Sequence, residues 1–318
     1  MIKIDKTDCL EWLKEVKDNS VDLVVIDPPY NIRKDSWDDI ENYELWIQEV
    51  ILELQRVLKD NGSFYMFHSE MEVVSDLMIF FTEKTNFIFK QFIVWNKRFT
   101  KSKNKGFLDG YVVVDALRNY QQMAEYILFY TFQKDDSKVL KEIREYLREE
   151  IIKSKGEIRL GEINSFLGTA TSGGGVASST LSLDKSEPTL ITEELYIKLK
   201  KYVGKEYLKK EWKELKKEFC NRRFCFNNLK THHSVWNYDL VSKKDNHITP
   251  KPRELIKNII LHSSNEGDLV LDCFLGTGTT AFACKELNRD FIGCDNNEDY
   301  VNKIKEELKQ TTLCSHKI

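Results

Sequence analysis

Six short apolar runs, rich in β-branched and aromatic residues, recur along the chain and constrain its fold more than any other feature. Near-continuous apolar runs of this length are typical of strands buried on both faces of a parallel sheet. Longer stretches with helical spacing lie between most of them. This alternation predicts a three-layer α/β sandwich around a mostly parallel sheet. The apolar runs are 23–26, 63–67, 92–95, 126–132, 269–271 and 291–294, and the helical stretches are 43–58, 71–83, 253–261 and 279–287.

The middle of the chain, residues 135–235, breaks this alternation and is interpreted as a mainly helical insert. It contains a helical stretch at 138–153, a glycine-rich segment at 168–175 and a second long helical stretch at 192–219. Residues 191–230 contain ten lysines, two arginines and six glutamates, which gives a net charge of +6. The surplus favours a basic face that meets nucleic acid, with a solvated lysine-rich helix as the alternative.

Charge and cysteine content narrow the functional classes. The whole chain has a net charge of −3, which argues against a protein that coats nucleic acid over its entire surface. Seven cysteines are scattered without a tight framework, which indicates reduced thiols and a cytoplasmic protein. No segment approaches the roughly 18 apolar residues of a membrane span, so we expect no membrane association.

A glycine turn follows the run at 269–271. The segment Asp-Cys-Phe-Leu-Gly-Thr-Gly-Thr-Thr, residues 272–280, predicts a strand, a tight turn and the start of a helix. Glycines allow such a turn and leave space for a ligand pressed against the backbone. The next apolar run ends in Asp295, whose carboxylate can accept hydrogen bonds from two ribose hydroxyls.

The same glycines also match a dinucleotide-binding fingerprint, Gly276-x-Gly278-x-x-Ala281 followed by an acid at 295. A nicotinamide-dependent dehydrogenase is therefore the alternative from another reaction class. A dinucleotide-binding domain that begins at this turn needs several further strands, whereas only one helical stretch, 296–309, follows Asp295. The order disfavours a dehydrogenase and favours a circularly permuted sheet.

The run at 23–26 leads directly into Asp27-Pro28-Pro29-Tyr30. Consecutive prolines hold an extended turn at the end of a strand, where open α/β sheets bind ligands. The Asp27 carboxylate and the Pro28 carbonyl could accept both N–H bonds of a nucleobase amine and free its lone pair, while Tyr30 offers a face for stacking. An ordinary proline turn with Tyr30 as a packing residue is the alternative. Combined with the glycine turn and Asp295, the motif indicates methylation of an amine.

These motifs, in this order, resemble the β class of amino-DNA methyltransferases, in which Asp-Pro-Pro-Tyr precedes the target-recognition region and the glycine motif comes last. The resemblance covers roughly 1–135 and 230–310, judged by motif order. It implies a Rossmann-like, circularly permuted methyltransferase fold with S-adenosyl-L-methionine as the cofactor. The chain would then comprise a catalytic half (1–134), a target-recognition insert (135–235) and a cofactor-binding half (236–318).

The resemblance also implies a role for each site residue. Asp8, beside Cys9, matches the segment whose Asp contacts the cofactor adenine, and Asp295 would bind the ribose. Thr249, Lys251 and Pro252 match the motif at the methionine end, although Ile248-Thr249 departs from the His-Pro-Thr that is common there. Phe274 matches the aromatic residue that packs on the cofactor. The catalytic residues would be Asp27, Pro28, Pro29 and Tyr30, and the other cofactor-binding residues Asp272, Gly276, Thr277, Gly278, Thr279 and Thr280.

Asp rather than Ser at position 27 favours adenine N6 as the target, reached by base flipping in duplex DNA. Cytosine N4 stays open, because some cytosine-N4 enzymes carry the same four residues. Cytosine C5 is disfavoured because no cysteine follows a proline, where that chemistry usually has its thiolate. A non-catalytic nucleic-acid-binding protein with a vestigial fold is the third hypothesis, and the intact Asp27, Gly276 and Gly278 speak against it.

A basic loop follows the run at 92–95. Residues 97–105 carry five cations and no acid, which predicts contacts with DNA phosphates, with a solvated loop as the alternative. We expect double-stranded DNA as the partner; a homodimer and a companion restriction endonuclease are left open. Cys220, Cys225, His232 and His233 have a spacing too loose for a zinc site, so no metal is expected. The cations of the loop are Lys97, Arg98, Lys101, Lys103 and Lys105.

Overall fold

The computed structural model describes residues 1–33, 38–97, 123–134, 137–170, 175–182, 189–227, 233–241 and 250–314, without the side chains of 137, 138 and 311–314. The chain forms two compact units, Met1–Phe132 with Cys225–Ile318, and Gln133–Phe224. The second unit ends before the expected boundary at 235, because residues 235–237 join the sheet of the first.

In chain order, the elements are β1 (Ile2–Lys6), α1 (Cys9–Glu15), β2 (Val21–Ile26), α2 (Tyr43–Val57), β3 (Leu58–His68), α3 (Met71–Lys84), β4 (Ile88–Asn96), β5 (Ala124–Thr131), α4 (Ser137–Lys155), α5 (Leu160–Leu167), α6 (Val176–Leu181), α7 (Glu193–Val203), α8 (Trp212–Arg222), β6 (Val235–Asn237), α9 (Arg253–Ser263), β7 (Leu269–Asp272), α10 (Thr279–Glu286), β8 (Asp290–Asp295) and α11 (Glu298–Cys314).

The described strands of the first unit form one sheet with the order β1-β8-β7-β2-β3-β5-β4-β6. Strand β5 runs antiparallel to its neighbours β3 and β4, and the other neighbouring pairs are parallel. The strands that follow the glycine turn and those that precede it therefore belong to one sheet. The predicted α/β fold, with a mostly parallel sheet in permuted order, is confirmed.

Strand β2 shows why its sequence is apolar throughout. Val24 and Ile26 pack with α2 and α3 on one face, whereas Leu23 and Val25 pack with α9 and α10 on the other. All four side chains are at most 1% exposed. Each contributes about 1.5–3 kcal/mol by leaving water, so the two helical layers hold the central strand from both sides.

The sequence analysis did not predict two short strands, β1 and β6. In β1, Ile4 is buried between exposed Lys3 and partly exposed Asp5, which is the alternating pattern of a strand at the edge of a sheet. Strand β6 has three residues and buries only Trp236. Neither forms the continuous apolar run that marks the central strands.

In the described part of the second unit, helices α4 to α8 pack around their own apolar cluster. The predicted continuous helix at 192–219 is wrong: α7 ends at Val203 and α8 begins at Trp212. Gly204 and Leu208 between them have φ angles of 101° and 50°, which a right-handed helix cannot contain. Of the described helices, none combines the length and the hydropathy that crossing a membrane requires.

Within this unit, the short helices α5 and α6 flank the glycine-rich segment at 168–175. The buried Asn164 of α5 ties them together, because its Oδ1 accepts hydrogen bonds from the Ala177 amide at 2.8 Å and from Thr169 Oγ1 at 2.9 Å. Gly175 is required before α6, since a Cβ there would lie 2.0 Å from the Ala170 carbonyl oxygen.

Candidate active site

The predicted catalytic and cofactor-binding segments meet at one edge of the sheet. Strand β2 ends just before Asp27, and its parallel neighbour β7 ends at Asp272, where the glycine turn begins. Carboxyl ends of parallel strands lie at the same edge, so residues far apart in sequence line a single pocket. Among the residues predicted for the site, its lining includes Asp27, Lys251, Asp272, Phe274, Gly276, Thr277, Thr279 and Thr280.

Asp27 lies in this pocket with both carboxylate oxygens engaged. Tyr30 donates its hydroxyl to Asp27 Oδ1 at 2.7 Å, and Lys251 Nζ lies 2.5 Å from Oδ2. Burial raises the pKa of Tyr30 well above its usual value, and the charges of Asp27 and Glu125 add to this effect. The Tyr30 hydroxyl is therefore protonated and acts as a donor. Lys251, predicted at the methionine end of the cofactor, directly contacts the proposed catalytic carboxylate.

Glu125 is a site residue that the sequence analysis missed. It is 6% exposed, its Oε2 lies 3.3 Å from Lys251 Nζ and 3.4 Å from the Tyr30 hydroxyl, and its Oε1 forms an ion pair with Lys97. Burial raises the pKa of Glu125, but the positive charges of Lys251 and Lys97 outweigh it and leave that pKa below its usual value. The only signal in the sequence is an acid directly before the apolar run at 126–132.

Lys97, the first cation of the basic loop, lies within the described residues. The Lys97 ammonium lies on Glu125, inside the site, and the side chain is 22% exposed. Its contact with phosphate stays a prediction. The other four cations of this loop, Arg98, Lys101, Lys103 and Lys105, lie outside the described residues, and so does Thr249.

Asp38 holds the chain that follows the two prolines. This carboxylate is 2% exposed and accepts hydrogen bonds from the amides of Tyr30 and Asn31, each at 2.8 Å, and of Ile32 at 3.2 Å. Three amide donors stabilise the buried charge and fix the backbone on either side of Asn31, whose φ is 56°. The position of the Tyr30 ring therefore depends on an acid eight residues further along the chain.

A chain of hydrogen bonds through His68 and Tyr43 holds the Pro29 carbonyl. The Glu70 amide donates to His68 Nδ1 at 3.1 Å, so Nε2 carries the ring proton and donates to the Tyr43 hydroxyl, which in turn donates to the Pro29 carbonyl at 2.7 Å. Burial lowers the pKa of His68 to about 4, which keeps the ring neutral. No donor among the described residues reaches the Pro28 carbonyl, the acceptor proposed for the substrate.

The glycine turn is tied to the strand beside it. Asp295 accepts hydrogen bonds from the Gly276 amide through Oδ2 and from the Asn297 amide through Oδ1, both at 2.8 Å. Gly276 and Gly278 have φ angles of 50° and 76°, the left-handed region that glycine adopts readily. The turn thus forms a backbone-lined wall of the pocket, with the partly buried Phe274 beside it.

Asp8 and Cys9 also lie at this edge of the sheet. Asp8 is the N-cap of α1 and accepts hydrogen bonds from the amides of Leu10 and Glu11 at 2.8 and 3.2 Å. The neighbouring Thr7 amide donates to the Asp295 carbonyl at 3.1 Å, which brings Asp8 to the end of β8. Cys9 is buried in the core, and burial raises the pKa of its thiol to about 12. Their contacts with a cofactor stay predictions.

The pocket fits the predicted cofactor in shape and charge. Side-chain atoms are absent from the wall at Gly276, and the Asp27 carboxylate suits a ligand with a positive sulfonium. The described residues contain no group of three His, Cys, Asp or Glu side chains that could hold a metal ion.

Asp272 should make the stability of the protein depend on pH. Burial raises its pKa to about 7 from an unfolded value near 3.8, although Thr280 Oγ1 and the Phe274 amide donate to it. Between these values the folded state binds more protons, so stability falls as pH rises. From pH 5 to pH 8, the wild type should lose roughly 3 kcal/mol relative to Asp272→Asn, measured by urea unfolding. The same pH dependence in both proteins would contradict a buried, easily protonated Asp272.

Comparison with known proteins places the chain in a family. The DNA methylase family model matches residues 21–306. The Type II methyltransferase M1.MboII of Moraxella bovis is 30% identical over 98% of both chains. The DNA adenine methyltransferase YhdJ of Escherichia coli K12 is 29% identical over 97% of this chain and 82% of its own. The crystal structure of an M1.HpyAVI–SAM complex shares the fold with a TM-score of 0.51 at 21% identity, covering 96% of this chain and 100% of the other.

The chain therefore belongs to the DNA methylase family. The prediction of an amino-DNA methyltransferase of the β class is confirmed. Methyl transfer to DNA from S-adenosyl-L-methionine, the predicted reaction and cofactor, is the activity of this family.

Proposed function

We propose that this chain methylates N6 of adenine at specific sites in duplex DNA after the target base leaves the helix. The observation that carries the proposal is one pocket lined by both Asp27 and the glycine turn, so that an amine acceptor adjoins the cofactor site. Asp at position 27 and the adenine methyltransferase among the relatives support adenine over cytosine.

Asp27 and Pro28 would prepare the amine. The exocyclic nitrogen donates one N–H to the Asp27 carboxylate and the other to the Pro28 carbonyl, which lets it become pyramidal and directs its lone pair into the pocket. Catalysis then rests on positioning and fixed electrostatics rather than on a covalent enzyme intermediate. Tyr30, whose ring centroid lies 4.7 Å from that of His68, provides the stacking surface for the base.

The other predicted residues would hold the cofactor, which supplies an electrophilic methyl group on a sulfonium. Asp295 would bind the ribose, Asp8 and Cys9 would lie near the adenine, and Phe274 would pack against the ligand. Lys251 lines the same pocket, and Pro252 beside it is the N-cap of α9. After transfer, the nitrogen sheds one proton to Asp27, which is 30% exposed and can pass it to water.

Expression in a host without DNA amine methylation would test the function directly. Single-molecule sequencing of the host genome should show N6-methyladenine at one recurring sequence. N4-methylcytosine at a recurring sequence would support methylation of an amine but would show that the target base is cytosine and not adenine. An unmodified genome, despite soluble protein, would contradict the proposal.

We also propose a companion restriction endonuclease, because the relatives include Type II methyltransferases. Resistance of the modified DNA to such an endonuclease would support this partner.

DNA contact by α8 is a separate part of the proposal. Lys213 and Lys217 lie one turn apart on this helix, both are exposed, and no carboxylate among the described residues pairs with them. Replacing both with Ala should raise KM for DNA with little change in kcat, and should reduce the slope of log K against log salt by about 2. The control is Lys153→Ala with Lys198→Ala, since these lysines pair with Glu150 and Glu194. An equal loss in both double variants would contradict a contact specific to α8.

A further inference from the structure

The Asp27 carboxylate already accepts two hydrogen bonds from protein side chains. Its Oδ1 accepts the Tyr30 hydroxyl and its Oδ2 the Lys251 ammonium, so both oxygens carry protein donors within 2.7 Å. An incoming amine must donate an N–H to the same carboxylate. The amine therefore competes with these two donors for the acceptor sites of one carboxylate. A buried donor that loses its acceptor is destabilising unless another acceptor replaces it.

Glu125 is an acceptor within reach of both donors. Its Oε2 lies 3.4 Å from the Tyr30 hydroxyl and 3.3 Å from Lys251 Nζ, both longer than the corresponding contacts to Asp27. A movement of roughly 0.5 Å would bring either contact into normal hydrogen-bond range. Neither side chain needs to leave the site to change partners.

We propose that Glu125 is a positioning residue that receives the Tyr30 hydroxyl and the Lys251 ammonium when the target amine takes Asp27. The exchange rests on the proposed methylation of an amine. It moves no proton and breaks no covalent bond: two donors move from one carboxylate to its neighbour. The catalytic carboxylate becomes available without leaving an unpaired buried charge.

The surroundings of Glu125 suit this task. Lys97 forms an ion pair with Oε1 and thereby directs Oε2 towards Tyr30 and Lys251. Two carboxylates, Asp27 and Glu125, share two ammonium groups, so the net charge is the same before and after the exchange. Lys251 is 8% exposed and lies 5.4 Å from the centroids of both the Tyr30 and Phe67 rings, which leaves water little access as a substitute partner.

The test compares Glu125→Gln with Glu286→Gln. Glu286 also pairs with two cations, Arg253 and Lys257, but it lies at the far end of α10 from the glycine turn. Gln keeps the shape of the side chain and loses the charge that attracts Lys251. We expect Glu125→Gln to slow single-turnover methylation of unmethylated genomic DNA at least about 10-fold. Its cofactor affinity by calorimetry and its Tm should match those of Glu286→Gln.

A second variant separates the exchange from a structural role. Without Glu125, Asp27 is the remaining anionic partner of Lys251 among the described residues, so Lys251 stays on it. Adding Lys251→Met to Glu125→Gln should then release Asp27 and cause no further slowing at saturating cofactor. Independent roles would instead give additive losses. Additive losses, a wild-type rate in Glu125→Gln, or losses of rate, cofactor affinity and Tm together would overturn the exchange.

The wild-type protein distinguishes this proposal from the one on which it rests. Wild-type methylation combined with an unaffected Glu125→Gln overturns the exchange alone. Cofactor binding without methylation of DNA by the wild type overturns the proposed function and the exchange with it. Wild-type methylation with a slowed, stable Glu125→Gln supports both.

Discussion

Asp27→Asn is expected to slow methyl transfer by about 10³-fold while the protein stays folded and binds its cofactor. The substitution keeps the size of the side chain, but it places an amide with two donor hydrogens where the amine needs an acceptor. It also removes the negative charge that lies 2.5 Å from Lys251. The rate should be measured in a single turnover with labelled S-adenosyl-L-methionine, and cofactor affinity by calorimetry.

The matched control is Asp290→Asn at the start of β8. Asp290 forms an ion pair with the N-terminal amine at the surface, and it does not line the pocket. Its substitution should leave the rate within about twofold of the wild type, as expected for an exposed pair. If Asp27→Asn kept a tenth or more of the wild-type rate, Asp27 would not be the principal acceptor of the amine.

Gly278→Ala should lose both stability and cofactor binding. The φ angle of 76° costs a residue with a Cβ about 1–2 kcal/mol. The new Cβ would also lie 2.8 Å from Ile304 Cδ1, and such overpacking costs about 1–3 kcal/mol more. Because the turn lines the pocket, its displacement should weaken cofactor binding at least about 10-fold. Urea unfolding and calorimetry measure the two effects.

Gly267→Ala separates the cost of a positive φ angle from the cost of overpacking. Gly267 has a similar φ of 83°, but a Cβ there would meet no atom within 4 Å. It should therefore show only the backbone cost, with unchanged cofactor affinity. Equal losses of stability in the two variants would mean that α11 does not pack closely against the turn.

The parts of the fold that follow from local sequence were predictable. Continuous apolar runs marked the central strands because β2 is buried on both faces. The order of the motifs indicated a permuted sheet, and the parallel pairing of β2 with β7 brings Asp27 and the glycine turn to one edge. Residues at the ends of predicted strands could therefore be assigned to one site without knowledge of their contacts.

The parts that depend on contacts between distant residues were not predictable. Glu125 lies 95 positions from Tyr30, and Lys251 lies 224 positions from Asp27. No local pattern indicates that these side chains meet. The break between α7 and α8 was missed for another reason. Gly204 was visible in the sequence, but the left-handed conformation of Leu208 depends on packing within the second unit.

We propose that the pocket between Asp27 and the glycine turn methylates adenine in DNA. To measure this reaction, the protein is incubated with labelled S-adenosyl-L-methionine and unmethylated genomic DNA, and the DNA is then digested to nucleosides. We expect label in N6-methyladenosine that is lost with Asp27→Asn and retained with Asp290→Asn. Protein that binds the cofactor but leaves the DNA unlabelled, or an Asp27→Asn variant that labels as well as the wild type, would contradict it.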